Sequence, residues 1–237
     1  MIRHSAADGI WRVTIDRPEK ANAVDLPSLR ALAEAAHAAH RDPDLRAFVL
    51  TGAGDRAFCA GADVAEGVDM FAFTRDPAWP AASSAIAALP CLTIAALNGT
   101  VAGGGFCPML ACDVRVAVPG AKFFYPVLKR GFLPQPEDVT RLQTLIGPGQ
   151  ARRILMGGAK LSADEALACG LVDALAPDGL DTAVAPLLAD AAAAKPESIA
   201  AIKRLFDDPR GAALDDCYSA AYAGDPAAIA RVRGAPD

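Results

Sequence analysis

Ala57-Phe58-Cys59-Ala60-Gly61-Ala62-Asp63 and Asn98-Gly99-Thr100-Val101-Ala102-Gly103-Gly104-Gly105 are the two stretches from which the rest of this 237-residue chain is read. Each follows a predicted strand and precedes a predicted helix. Small residues at such a junction let a ligand approach the backbone, and the first amides of a helix have no intrahelical partner. Two amides of this kind converging on one oxygen would form an oxyanion hole. Taken singly, each stretch reads equally well as a plain strand-to-helix turn of an α/β protein. Neither GxxxxGK[ST] nor GxGxxG occurs, so the triple glycine does not read as a phosphate loop.

Working outward, Ile10-Trp11-Arg12-Val13-Thr14-Ile15 alternates as a half-buried strand does, and Leu45 to Thr51 reads as a buried strand. Between them, Leu26 to His40 is rich in alanine and leucine, with Pro27 tolerable in a first helical turn. Residues 65 to 79 lack a clean period and are expected to form an irregular loop of the kind that borders ligand sites. A helix is expected from Ala81 to Leu89, a strand from Cys91 to Leu97, a helix from Phe106 to Cys112 and a strand from Asp113 to Val118. Pro134 and Pro136 break the next region. Helical spacing resumes over Val139 to Ile146 and Gly149 to Met156, and Ser162-Ala163-Asp164-Glu165 has the form of a capping box. Beyond Pro177 the pattern is helical, with a turn near Asp207-Pro209-Gly211. Strands alternating with helices, then helices alone, predict an α/β core with a helical C-terminal part. No internal repeat is visible.

Hydrophobic residues make up 53% of the chain, enough for a core without metal or disulfide staples. The formal charge of −5, with no run of lysines or arginines, argues against nucleic acid or an anionic membrane as partner. The six cysteines show no CxxC pair and no Cys/His ligand spacing, so no metal site is expected. The opening MIRHSAADG has no apolar signal core, and no apolar stretch reaches spanning length. A reduced, cytoplasmic protein is the expectation.

The two opening stretches, together with Arg17-Pro18-Glu19-Lys20-Ala21-Asn22-Ala23 and Thr51 through Arg56, closely resemble the crotonase (enoyl-CoA hydratase/isomerase) superfamily, in its order and at about its spacing. Leu161-Ser162-Ala163-Asp164-Glu165-Ala166 through Gly170-Leu171-Val172-Asp173 is similar to the family's late helix-and-turn segment. The resemblance implies a ββα spiral core over residues 1–177. It also implies a helical region over 178–237 that packs subunits into homotrimers, often paired into homohexamers. It implies an acyl-CoA thioester as ligand, with coenzyme A as part of the substrate and no separate cofactor. By position, Ala62 and Gly104 match the residues whose amides bind the thioester oxygen. Ala60, Gly61, Asp63 and Gly103 would lie along the bound ligand, and Lys20, Ala21 and Ala23 match the loop bordering coenzyme A. Read alone, Lys20 is equally a solvated turn lysine.

The resemblance also exposes departures. The hydratases use two glutamates, and the matching positions here are Cys107 and Val127, neither of which can activate water as a carboxylate does. Where relatives read PGxGGT, this chain has Pro134-Gln135-Pro136-Glu137-Asp138-Val139-Thr140. Glu137 and Asp138 are either a relocated base or acids that favour a helix N-terminus, and the second reading carries more weight. Cys107 reads as a buried hydrophobe rather than a nucleophile. Tyr125 is either core or a donor, Lys129 and Arg130 either a positive charge beside the same loop or, with more weight, an exposed turn, and Phe71, Phe73 and Trp79 either pocket lining or loop anchors. His37 and His40 carry no role. These features favour double-bond isomerisation or a hydratase-like step through an enolate. Decarboxylation, thioester hydrolysis and non-catalytic acyl-CoA binding stand as alternatives.

Overall fold

The computed structural model describes residues 1–63 and 69–207. Strands β1 (Ile2–Ala7) and β2 (Ile10–Ile15) form a hairpin, followed by helix α1 (Leu26–His40). Then come β3 (Ala47–Gly52), β4 (Ala57–Cys59), α2 (Met70–Arg75) and α3 (Ala78–Ala87). The next unit is β5 (Leu92–Leu97), β6 (Thr100–Ala102) and α4 (Phe106–Leu110), and the one after it β7 (Val114–Ala117), β8 (Lys122–Phe124), α5 (Val127–Arg130) and α6 (Pro136–Leu155). The described chain ends with β9 (Lys160–Ser162), α7 (Ala163–Ala168), β10 (Ala174–Leu175), α8 (Leu180–Ala193) and α9 (Pro196–Asp207).

The strands form two sheets. One runs β1-β2-β3-β5-β7-β10, the other β4-β6-β8-β9. Only β1–β2 and β8–β9 pair antiparallel. Each of β3, β5 and β7 is thus followed by a short strand in the second sheet and then by helix: the ββα spiral. One core fills the space between the sheets and α1, α3, α4 and α6, centred on Phe48, Phe58, Phe106 and Phe123. On the far face of the larger sheet, Val184 and Leu188 of α8 cover Val49, Ile94 and Val116. The helix just past Pro177 therefore packs on the main sheet itself.

Several local expectations shift for physical reasons. Segment 69–79 is helical where a loop was expected, because Asp69 caps α2 by accepting from the amides of Phe71 and Ala72. Asp76 Oδ1 likewise accepts from Ala78 N, at 2.9 Å. Pro80 lies in the first turn of α3, where no amide donor is needed, so the helix starts three residues earlier than the proline suggests. Helix α6 similarly begins on Pro136 rather than Val139, and the two helices expected there meet at Gly147, whose φ of 77° breaks the helix before Pro148. The capping box at Ser162 and Glu165 is present as read. The turn expected near 207–211 lies outside the described residues, apart from Asp207 at the end of α9. No helix among the described residues is long and apolar enough to cross a membrane.

Two buried asparagines brace the turns that join the sheets. Asn22 Nδ2 donates to Ala53 O (2.9 Å) and Ala57 O (2.6 Å), while its Oδ1 accepts from Arg17 N (3.0 Å). Asn98 Nδ2 donates to Gly54 O (2.8 Å) and Ala57 O (3.2 Å), and its Oδ1 accepts from Gly52 N (3.0 Å). The turns press so closely that a Cβ on Gly99 would stand 2.5 Å from the Arg56 backbone. Truncating a residue that leaves buried groups unsatisfied costs about 1–3 kcal/mol per group. Asn98→Ala is therefore expected to lower stability by about 3 kcal/mol or more, read as a drop in the urea midpoint with an unchanged slope.

Candidate active site

The turn Ala60–Asp63 leaves β4 and runs beside the turn that leaves β6. Val24 N donates to Gly61 O (2.8 Å) and Asp63 N to Val24 O (2.8 Å), which fixes the direction of the peptide between Gly61 and Ala62. That peptide is trans, so its N–H points opposite to its carbonyl, and the amide of Ala62 is turned away from Val24. Across the gap, Gly103–Gly105 forms a single 3-10 turn leading into α4. The amide of Gly104 lies in that first turn, where N–H groups have no intrahelical partner.

The two backbones approach to the limit that missing side chains allow. A Cβ on Gly104 would lie 3.5 Å from Ala62 N, and a Cβ on Gly61 3.3 Å from Gly104 N. Gly61 and Gly103 have φ values of 107° and 49°, in the region that glycine enters at little cost. A Cβ on Gly104 would also strike the six-membered ring of Trp79, at 2.5 Å from Cη2. Trp79 is held in place by its Nε1 donating to Phe73 O (3.1 Å) and by an edge contact with the Phe73 ring.

These turns form one wall of a cavity of about 540 Å3. Lys20, Ala23, Ala60, Gly61, Ala62, Asp63, Gly103 and Gly104 all border it. Ala21 stands one step behind, with φ 49° and its carbonyl taking the amide of Ala60 at 3.0 Å. Asp63 is held by Arg17 Nη2 at 2.6 Å and by Lys20 Nζ at 3.8 Å, so the wall's carboxylate arrives already neutralised. Trp79, Phe124, Tyr125, Val127, Phe132 and Leu133 supply apolar and aromatic surface, and Arg130 a second positive charge. Gln135 also lines the cavity, its Nε2 bonded to Thr74 O at 2.7 Å.

Neither Glu137 nor Asp138 borders the cavity. Glu137 is partly exposed in the first turn of α6, while Asp138 is buried and accepts a hydrogen bond from the Tyr125 hydroxyl at 2.8 Å. Burial pushes the Asp138 carboxyl up to about 7, against the opposing pull of Tyr125 and Arg141 and with a further push from Glu137. Its Oδ1 is buried without a hydrogen-bond partner among the described residues. Burial also lifts the Cys107 thiol well above its ordinary value, as does the neighbouring Asp138, and its Sγ sits 3.6 Å from the Trp79 carbonyl. Cys107 is a core residue, not an exposed nucleophile. Phe71 is exposed at the surface, whereas Phe73 anchors Trp79. His37 and His40 are exposed on α1.

The part of the lining that sequence reasoning left undecided is aromatic. Trp79 and Phe124 have no motif around them. The one signal for Trp79 is indirect, since the glycine at 104 leaves room for a large ring.

Two outcomes follow from this geometry. Gly104→Ala is expected to cost about 1–3 kcal/mol through overpacking, and less than that in a Trp79→Phe background, as thermal unfolding of the four-member cycle would show. The folded Asp138 carboxyl titrates above its ordinary value of 3.8, so the native state holds the extra proton and stability falls as pH rises from about 4 to 7. Asp138→Asn removes that loss. Near pH 8 the variant is expected to be more stable than the parent, by up to ~4 kcal/mol, and to unfold at a higher temperature, with the gap closing toward pH 4.

The sequence model described as enoyl-CoA hydratase/isomerase matches residues 5–235. A carnitinyl-CoA dehydratase from Salmonella paratyphi A is 36% identical over 203 residues, covering 83% of this chain and 76% of that protein. Among solved structures, an enoyl-CoA hydratase/carnithine racemase from Magnetospirillum magneticum superposes with a TM-score of 0.87 at 30% identity, over 98% of this chain and 92% of that one. Pseudomonas aeruginosa DspI gives 0.81 at 32% identity, over 88% and 81%. With both sheets, the paired turns and the match along nearly the whole sequence in agreement, the chain belongs to the enoyl-CoA hydratase/isomerase family, the crotonase superfamily.

Proposed function

We propose that this protein transforms an acyl-CoA thioester through an enolate, with double-bond isomerisation favoured over ordinary hydration. The observation that carries the reading is the close approach of two turns, at Gly61-Ala62 and Gly103-Gly104, on one cavity wall, which would let the amides of Ala62 and Gly104 bind one oxygen. Removing a proton next to a thioester places negative charge on the carbonyl oxygen. Two preorganised donors stabilise that charge, and losing one costs on the order of 2.7–4 kcal/mol in enzymes built this way.

The rest of the cavity suits the same ligand. Ala23, Ala60, Gly61, Asp63 and Gly103 offer a wall of small residues for an extended pantetheine chain. Lys20 and Arg130 carry positive charge toward the polyanionic end of coenzyme A, and the aromatic wall accepts an acyl group. Hydration by two glutamates lacks support, because Val127 lines the cavity with an apolar side chain and Cys107 is buried and does not border it. The same absence favours decarboxylation of a carboxyacyl thioester as the second reading, since that reaction needs the amides more than a base. Ile202 and Phe206 on α9 are 61% and 83% exposed, which supports the helical C-terminal region as the surface that joins subunits into trimers.

Titration with acetyl-, crotonyl- and octanoyl-CoA, followed by chromatography and mass spectrometry of each overnight mixture, tests this. Isomerisation shows as a product of unchanged mass and altered retention, hydration as a gain of water, and decarboxylation, with a carboxyacyl thioester added to the panel, as a loss of carbon dioxide. Absence of binding to every thioester would sink the acyl-CoA reading.

A further inference from the structure

We infer that the Tyr125 hydroxyl is the group that exchanges a proton with the bound acyl chain, and that Asp138 behind it is the positioning residue that takes and returns that proton. This rests on the reading of the cavity as an acyl-CoA site. Three independent observations place the pair.

The first is register. Strand β8 runs parallel to β6 with Phe124 opposite Ala102, so Tyr125 follows its strand at the level where Gly103 and Gly104 leave theirs. Neighbouring strands lie about 4.8 Å apart, which puts Tyr125 beside the amide-bearing turn. The second is position: Tyr125 borders the cavity, Asp138 does not, and the tyrosine hydroxyl is hydrogen-bonded to the carboxyl. Asp138 therefore meets the ligand through Tyr125. The third is an energetic anomaly. Asp138 is 1% exposed, yet its Oδ1 has no hydrogen-bond partner among the described residues. A buried carboxyl left half satisfied is costly, and such groups cluster where a protein uses them.

The surroundings hold this pair in a narrow geometry. The Phe106 ring packs on Tyr125 at 5.2 Å between centroids. On its own helix Asp138 faces Glu137, which raises its proton affinity, and Arg141, which lowers it. Arg141 is itself bonded to Ser83 Oγ on α3, and Cys107 faces the pair from α4. The carboxyl is about half protonated near neutrality, loses its proton as pH rises through about 7 and holds it below.

The step balances. A C–H bond of the acyl chain breaks, and its electron pair becomes the enolate whose oxygen lies on the amides of Ala62 and Gly104. The proton goes to Tyr125 Oη as the hydroxyl's own proton passes to Asp138 Oδ2. No free tyrosinate forms, which matters because burial drives the Tyr125 hydroxyl well above its usual value. The reverse pass delivers a proton to the same carbon or to one further along the chain. Delivery further along moves the double bond.

The test is wash-in of solvent deuterium into acetyl- and crotonyl-CoA, read by mass spectrometry, with binding measured separately. Wild type is expected to bind and exchange, with a rate that rises with pH through about 7 as Asp138 loses its proton. Tyr125→Phe keeps the ring and should bind within about twofold of wild type while exchanging at least about 100-fold more slowly. Asp138→Asn should lose exchange to a similar degree and flatten the pH profile, and Asp138→Glu should restore part of both. Unchanged exchange in Tyr125→Phe, or a wild-type profile without the rise, overturns the proton-transfer role. So does binding by wild type without any exchange, and each of these leaves the acyl-CoA reading standing. No binding by wild type overturns both.

Discussion

The carbonyl of Ala57 is the point on which the rest of the structure hangs. Two asparagines, one from the segment before α1 and one from the end of β5, donate to that single oxygen. Through their other atoms they gather the backbone of Arg17, Gly52, Ala53 and Gly54. These bonds are buried or part-buried, where an unpaired partner is expensive, so they behave as a joint rather than as surface decoration. The joint fixes how β4 leaves the first turn and how β6 lies beside it. That in turn sets the distance between the amides of Ala62 and Gly104.

From this joint the chemistry of the cavity wall follows with little choice left. The two turns approach this closely only because neither Gly61 nor Gly104 has a side chain, and Trp79 occupies the space that a Cβ at 104 would need. The wall thus offers fixed backbone dipoles and very few ionised groups. Its one carboxylate among the described residues, Asp63, is spent on Arg17 and Lys20. Under the proposed function, a thioester oxygen placed here would meet these amides beside the aromatic and apolar lining, where electrostatic interactions are stronger than in water. A carboxyl whose proton affinity burial raises, Asp138, is one layer back, behind Tyr125. This arrangement keeps an ionised carboxylate out of the acyl pocket while leaving a route to it. The orphaned Oδ1 of Asp138 costs stability, and such costs persist where function depends on them.

Much of the site was legible in the primary structure, because its backbone half is written in contiguous motifs. Ala60 to Asp63 and Gly103 to Gly105 carry their own signals: small residues, glycines, a strand before them. Resemblance to a family added the pairing between them. What stayed hidden was built from short or irregular pieces. Strands β4, β6 and β8 are three residues each, too short for alternation to register, so the threefold ββα repeat is invisible in the sequence although plain in the sheets. The helix at 70–75 was obscured because its segment has no clean period and carries acids and prolines, and the helix at 78–87 was read only from Ala81 onward. Yet Asp69 and Asp76 supply the capping that lets those helices begin.

Asp138 shows the boundary most clearly. As a residue in sequence it is an acid in the first turn of a helix, and the macrodipole explains it adequately. Burial to 1% exposure, the tyrosine hydroxyl at 2.8 Å and the unpartnered oxygen are products of α6 packing against α4 and the β8–α5 connection, which no local pattern encodes. The sequence by itself determined the α/β class, the family and the backbone turns, because these depend on residues within a few positions of one another. The tertiary structure alone decided the close approach of the two turns, the aromatic lining and the environment of Asp138. Those depend on contacts between distant segments, and the energies that set them arise from burial.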